Sequence, residues 1–387
     1  MTLNEVKFER VLDFIEKLLI ERDILQTNSY KAWYNYYINI YGKKRTNINL
    51  YVAHSLIYFF SRIFIAKYIL NRELLSKSNI ISANIIIEII SDLKPRYSIE
   101  LSPEINYFLP FFDVLKVLTA ENTEMMINLS LNAMKSFDHT PEYFFDYIVQ
   151  VLLTDYIRHS SGEFYTPPFI VMKMVKEAYT FGDKVLDPCC GSGNFLIEIV
   201  KRILNASKSN SEKIKALKAV YGYDINPISV YLTKVNMLYL LKESFININQ
   251  NLRVSDFLFQ SEKNANNDFD LIIGNPPWYT LRDVDSLEYQ EKMKLLSDQL
   301  EIKPLPKNVL NIEVASLFFY KAKVTHMKIN AKIFFVITRG VITGSHAARF
   351  RNFKGFSNVY IWKFTPEITE IFNIDFICIY AQKSANR

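Results

Sequence analysis

From the N-terminus to about residue 155, apolar side chains return at helical spacing. Thr2-Leu3-Asn4-Glu5 has the form of a capping box and opens the amphipathic run VKFERVLDFIEKLLIERDIL. Similar stretches recur to about Thr154, broken near Pro95, Pro103, Pro110 and Pro141. From Lys184 the pattern changes. Short β-type runs at KVLD, AVYGYD, NLRVSDF, FDLIIG, KIFFVIT, NVYIWKF and IDFICIYA alternate with helical segments such as FLIEIVKRIL and SVYLTKVNMLYLLK. Seven strands interleaved with helices predict a doubly wound α/β sheet. Glycine marks the same division: of ten, only Gly42 lies before Gly162. The expected organisation is an all-helical domain over residues 1–155 and an α/β domain over residues 156–387.

Ligands of such sheets sit beyond the carboxyl ends of the strands. The first strand runs into Asp187-Pro188-Cys189-Cys190-Gly191-Ser192-Gly193, where Gly191 and Gly193 allow a tight turn and close approach by a ligand. The second ends at Asp224, placed to accept both hydroxyl hydrogens of a ribose. The third ends at Asp256-Phe257, a carboxylate for an exocyclic amine beside an aromatic face. The fourth, FDLIIG, delivers Asn275-Pro276-Pro277-Trp278 to the same edge. Each acid alone reads as a cap or a solvated loop residue, and Asn-Pro-Pro alone as a turn. Together, at successive strand ends, they describe a site.

Composition narrows the class. With 49% hydrophobic and 22% charged residues the chain is ordinary for a globular protein. Three cysteines without CxxC spacing support neither a disulfide framework nor a zinc site, and no metal is expected. The apolar run IISANIIIEII is short and carries Glu88, and the N-terminus has no signal-peptide core, so a cytoplasmic protein without a membrane span is expected.

In order along the chain, GEFYTPP (162–168), DPCCGSGNF (187–195), YGYDINP, SDF and NPPW resemble the amino-methyltransferases of restriction–modification systems, specifically the N6-adenine DNA methyltransferases of type I and type IIG systems. The resemblance covers roughly residues 140–387. It implies a seven-stranded Rossmann-like sheet that binds S-adenosylmethionine. By this similarity Phe164, Tyr165, Thr166 and Pro167 line the methionine end with Asp187, Pro188, Gly191 and Gly193. Asp224 holds the ribose; Asp256 and Phe257 hold the cofactor's adenine, and Ile225 and Asn275 also border the cofactor. Asn275 and Pro276 accept the two hydrogens of the target amine, Pro277 stiffens the turn, and Trp278 stacks on the extruded base. The partner implied is double-stranded DNA with a flipped adenine. Two other readings stay open: RNA or a protein glutamine amide as methyl acceptor, and a catalytically inert DNA-binding subunit.

A net charge of +6 permits a polyanionic partner, and its distribution matters more. Residues 314–366 contain nine Lys and Arg and no Asp or Glu. The segment TRGVITGSHAARFRNF is therefore expected to touch phosphates through Arg339, His346, Arg349, Arg351 and Lys354. Many relatives continue into a target-recognition domain after the last strand, for which residues up to Arg387 leave no room. Specificity is expected from a separate subunit, from the helical domain or from a longer parent chain, or to be lax. The near-match Asp113-Val114-Leu115-Lys116 lacks the spacing of a nuclease metal site, so cleavage is not expected.

Overall fold

A computed structural model of the chain describes residues 3–44, 46–71, 109–153, 166–260, 268–365 and 375–385. The chain forms two compact units, one of residues 1–157 with 227–246, the other of residues 158–226 with 247–387.

The first unit is helical. Thr27 accepts the Tyr30 N–H to start the helix Asn28–Tyr41, and Asn47 accepts the Leu50 N–H to start Ile48–Phe64. The latter runs through a π-helical turn to Ile69, giving a 22-residue helix with an 18-residue window of mean hydropathy 1.4. It is long and apolar enough to cross a membrane, yet 89% of that window is buried inside the protein, as expected of the core helix of a folded unit. Helices Leu3–Glu21, Leu109–Val117, Ala120–Lys135 and Phe144–Leu152 pack against it. Helix Pro227–Leu241 joins this unit through Tyr231, whose hydroxyl lies 2.9 Å from Ser61 Oγ, and through Tyr239, whose ring meets Phe64 edge-on. Asp113 accepts hydrogen bonds from Ser29, from Tyr51 at 2.6 Å and from Lys116 at 3.1 Å, an internal use for that acid.

The second unit holds all seven expected strands: β1 Val185–Asp187, β2 Val220–Asp224, β3 Leu252–Val254, β4 Phe269–Gly274, β5 Met327–Thr338, β6 Phe356–Lys363 and β7 Phe376–Lys383. Their order is β3-β2-β1-β4-β5-β7-β6. The first five run parallel, and β7 enters antiparallel between β5 and β6. Central strands are covered on both faces and so read as continuous apolar runs. Leu186, Ile272, Ile333, Phe335 and Ile379 are buried there with Phe319 and Tyr320 of helix Val314–Thr325. The lysine-rich stretch before β2 is helix Asn210–Leu217, started by a capping box between Ser209 and Glu212.

Candidate active site

The chain passes from β1 outward to β2 and β3, then returns to β4 on the other side of β1. This reversal opens a crevice at the carboxyl ends of β1 and β4. The glycine loop after β1 is fixed there by backbone bonds. Cys190 N–H donates to the Tyr223 carbonyl at 2.8 Å, and Gly191 N–H donates to Asp224 Oδ2 at 2.9 Å. Gly191 and Gly193 have φ of 55° and 100°, a conformation that favours glycine, and Gly193 begins helix Asn194–Asn205.

Three acids border this crevice. Asp187 is buried, its Oδ1 accepting the Cys189 N–H at 3.1 Å; burial, with the Asp224 charge adding to it, pushes its carboxyl up to about 8. Asp224 is half-buried and accepts from Gly191 on one oxygen and from the Asn226 N–H at 2.8 Å on the other; burial raises it to about 6. Asp256 accepts the Leu258 N–H at 3.0 Å and the Tyr289 hydroxyl at 2.8 Å, and burial raises it too. Desolvated carboxylates gathered in one crevice suit a ligand carrying positive charge. Gly274, at the end of β4, leaves room for the first of them: a Cβ there would fall 2.5 Å from Asp187 Oδ1 and 3.5 Å from Pro188 Cδ.

Other expected cofactor residues divide. Thr166 is buried beside the glycine loop, its carbonyl accepting from Asn194 Nδ2 at 3.4 Å. Its hydroxyl has no hydrogen-bond partner among the described residues, as a group awaiting a polar ligand would not. Pro167 leads into helix Pro168–Ala178, and Ile225 is exposed beside Asp224. Phe164 and Tyr165 lie outside the described residues. Phe257 differs from expectation. Its ring is buried, stacked on Phe318 with centroids 5.2 Å apart, so the aromatic face belongs to the core and is not open to a ligand.

Asn275, Pro276 and Pro277 follow β4 directly. Trp278 is the second departure from expectation: it is only 6% exposed, its Nε1 donates to the Val336 carbonyl at 3.2 Å, and its ring stacks on Phe376. It anchors the turn to β5 and is no open platform. Beyond it, Tyr279 accepts the Val314 N–H at 3.0 Å and Leu281 donates to the Ile312 carbonyl at 3.0 Å. Glu313 sits between these bonds, its carboxylate receiving the Thr338 hydroxyl and lying 3.1 Å from His346 Nε2. It binds the turn to the loop after β5. Sequence reasoning missed Glu313, whose one signal was its position just ahead of the acid-free run.

The chain matches the family described as N-6 DNA methylase over residues 142–349, more than half its length. The chain belongs to the N-6 DNA methylase family. The match spans the glycine loop, the three acids, the Asn-Pro-Pro-Trp turn and the loop after β5. Among curated relatives, the type II methyltransferase M.VspI of Vibrio sp. (strain 343) is 32% identical over 165 residues, 40% of this chain and 35% of the relative. The type I restriction enzyme MjaIX methylase subunit of Methanocaldococcus jannaschii is 28% identical over 117 residues, 30% of this chain and 19% of that protein. The matched stretches therefore span about a third or less of these relatives. The fold agrees with that of DrdV in a DNA complex, with a TM-score of 0.61 at 15% identity over 100% of this chain and 43% of that one. It also agrees with the type IIL restriction–modification enzyme MmeI, with a TM-score of 0.57 at 13% identity over 98% of this chain and 57% of the other.

In this chain the cation run of residues 314–366 is less uniform in space than in sequence. Lys328, Lys332, Arg339 and Lys354 pair with Asp270, Asp183, Asp375 and Glu301, acids contributed by other segments. Arg351 Nη1 donates to the Gly344 carbonyl at 2.6 Å and so shapes its own loop, and His346 faces Glu313. Arg349 is exposed, with no ion-pair partner among the described residues. Of the five expected phosphate contacts, Arg349 keeps its charge most open to a ligand.

Proposed function

We propose that the chain transfers a methyl group from S-adenosylmethionine to the exocyclic N6 of adenine in DNA, as the modification component of a restriction–modification system. The observation that carries this reading is the common sheet edge shared by the ends of β1, β2 and β3, with Asp187, Asp224 and Asp256, and the end of β4, with Asn275. When bound, the cofactor supplies an electrophilic methyl on a cationic sulfur. Asp224 accepts from the ribose hydroxyls while keeping its bonds to Gly191 and Asn226, since each carboxylate oxygen has two lone pairs. Asp256 accepts from the cofactor's adenine amine. The Thr166 hydroxyl and the ionised Asp187 face the cationic end, whose charge offsets the burial of that acid.

An adenine amine is a poor nucleophile because its lone pair is delocalised into the ring. The Asn275 side-chain oxygen and the Pro276 carbonyl accept its two hydrogens as positive charge develops on nitrogen. The prolines hold these acceptors stiffly, and Trp278, tied to Val336, fixes the turn against β5. The base must leave the duplex to reach them. Arg349 contributes attraction to phosphate. The type I relative is itself a methylase subunit, which supports a separate subunit as the source of sequence specificity. The test is transfer of labelled methyl to duplex DNA, with N6-methyladenine identified by mass spectrometry, by the chain alone and with a specificity subunit. Label found in RNA or in protein glutamine, and not in DNA, would overturn the proposal.

A further inference from the structure

Asp256 does not stand alone at the end of β3. Helix Leu287–Gln299, which follows the Asn-Pro-Pro-Trp turn, sends two consecutive side chains in different directions. Tyr289 donates its hydroxyl to Asp256 Oδ2 at 2.8 Å, and Gln290 Nε2 donates to the Leu281 carbonyl at 2.8 Å, just beyond the turn. Ser286 caps the helix by accepting the Tyr289 N–H at 3.2 Å, and the Tyr289 ring meets Phe259 edge-on at 5.2 Å. The first turn of this helix is therefore joined to the β3 end on one side and to the continuation of the β4 turn on the other. Neither Tyr289 nor Gln290 stands out in sequence, since each is one residue of a mostly polar helix whose partner lies outside it.

A half-buried carboxylate that must accept from a cofactor amine needs a fixed rotamer and a reason to stay ionised. The Leu258 N–H supplies one restraint on Oδ1, and the Tyr289 hydroxyl supplies the other on Oδ2. A phenol donating to a carboxylate is a charge-assisted bond that leaves a second lone pair on Oδ2 for an incoming donor. We infer that Tyr289 is a positioning residue for cofactor binding, holding the Asp256 carboxylate in the orientation that receives the adenine amino group of S-adenosylmethionine. This rests on the cofactor reading given under Proposed function.

The ionisable groups around Asp256 set the sign of a pH test. Burial raises its carboxyl, while the Tyr289 hydroxyl and the Lys292 ammonium of the same helix lower it. Lys292 is itself paired with Glu288, and Tyr279 lies close to Tyr289. Binding that needs the ionised acid is present above its folded pKa and lost as pH falls through it. Removing the hydroxyl takes away a lowering influence, so the loss moves to higher pH.

The test is calorimetric titration of S-adenosylmethionine into the full chain and its variants between pH 5 and 8. Tyr289→Phe keeps the ring on Phe259; its affinity should fall about tenfold at pH 7, with the acid-side loss displaced to higher pH. In an Asp256→Asn background the same substitution should cost less than about twofold, because Tyr289 then has no carboxylate to hold. Unchanged affinity and pH profile for Tyr289→Phe would overturn the inference. So would an equal loss in the Asp256→Asn background, which would assign Tyr289 a structural role independent of Asp256. A wild-type chain that binds no S-adenosylmethionine would overturn the cofactor reading itself, and the inference with it.

Discussion

Gly274 lies against Asp187 so closely that a Cβ on the glycine would stand 2.5 Å from the carboxylate oxygen Oδ1. The absent side chain at the end of β4 is what allows a buried acid at the end of β1. Gly274→Ala should displace Asp187 and cost on the order of 1 to 3 kcal/mol of stability. Affinity for S-adenosylmethionine should fall with it. Denaturant unfolding and calorimetry check both, and a variant unchanged in each would mean that Asp187 shifts without consequence.

Asn275→Ala should lower the single-turnover rate of methyl transfer by about a hundredfold or more, since it deletes the proposed acceptor for the target amine. Cofactor affinity should stay within about threefold, because the amine that Asn275 is proposed to meet belongs to DNA. Comparable losses in both measurements would instead make Asn275 part of the fold of the turn.

Arg349 and Arg351, two residues apart, should respond differently to charge reversal. Arg349→Glu should weaken binding to all duplex sequences alike and flatten its salt dependence, with no change in melting temperature. Arg351→Glu removes the donor to the Gly344 carbonyl and should lower the melting temperature as well. Salt titrations of DNA binding beside thermal melts separate the two. Equal melting temperatures would show that the Gly344 contact is dispensable.

The two units should respond to pH in opposite senses. His54 is buried, its Nδ1 accepting from Trp33 Nε1 at 3.2 Å, and burial lowers it to about 3. Its contribution is present above the ordinary histidine value and is lost as pH falls towards about 3. Asp187 is raised to about 8, so its contribution is full below the ordinary carboxyl value and is lost as pH rises through about 8. His54→Gln should flatten the acid-side slope of stability in the helical unit, and Asp187→Asn the alkaline-side slope in the sheet unit. Hydrogen exchange resolved by peptide, across pH 4.5 to 9, measures each slope in its own unit.

The central strands are legible because strands buried on both faces leave unbroken β-branched and aromatic runs, and their polar ends stand out against them; the edge strands β3 and β6, largely exposed, are legible only from their β-type residues. The pairing of β7 is not legible, since nothing in FICIYAQK distinguishes an antiparallel neighbour from a parallel one. Helix Pro227–Leu241 reads as part of the sheet domain because it directly follows β2; its attachment to the first unit rests on Tyr231 and Tyr239 meeting side chains more than 160 residues away. The cation run misled for the same reason. Acids that neutralise Lys328 and Lys332 come from positions 270 and 183, which a window along the chain does not contain. Phe257 and Trp278 read as open faces because an aromatic ring at a strand end looks the same in sequence whether solvent or another ring covers it.

The place of β7 also fixes the order in which the sheet can close. β6 leaves the ribosome before the strand that will hold it, so β5 waits with an unpaired edge while residues 356–363 have no ladder to join. The same late strand begins with Phe376, the ring stacked on Trp278. A nascent chain therefore has its glycine loop and acids in hand before the Asn-Pro-Pro-Trp turn is braced, and this sheet edge is finished only when β7 has emerged.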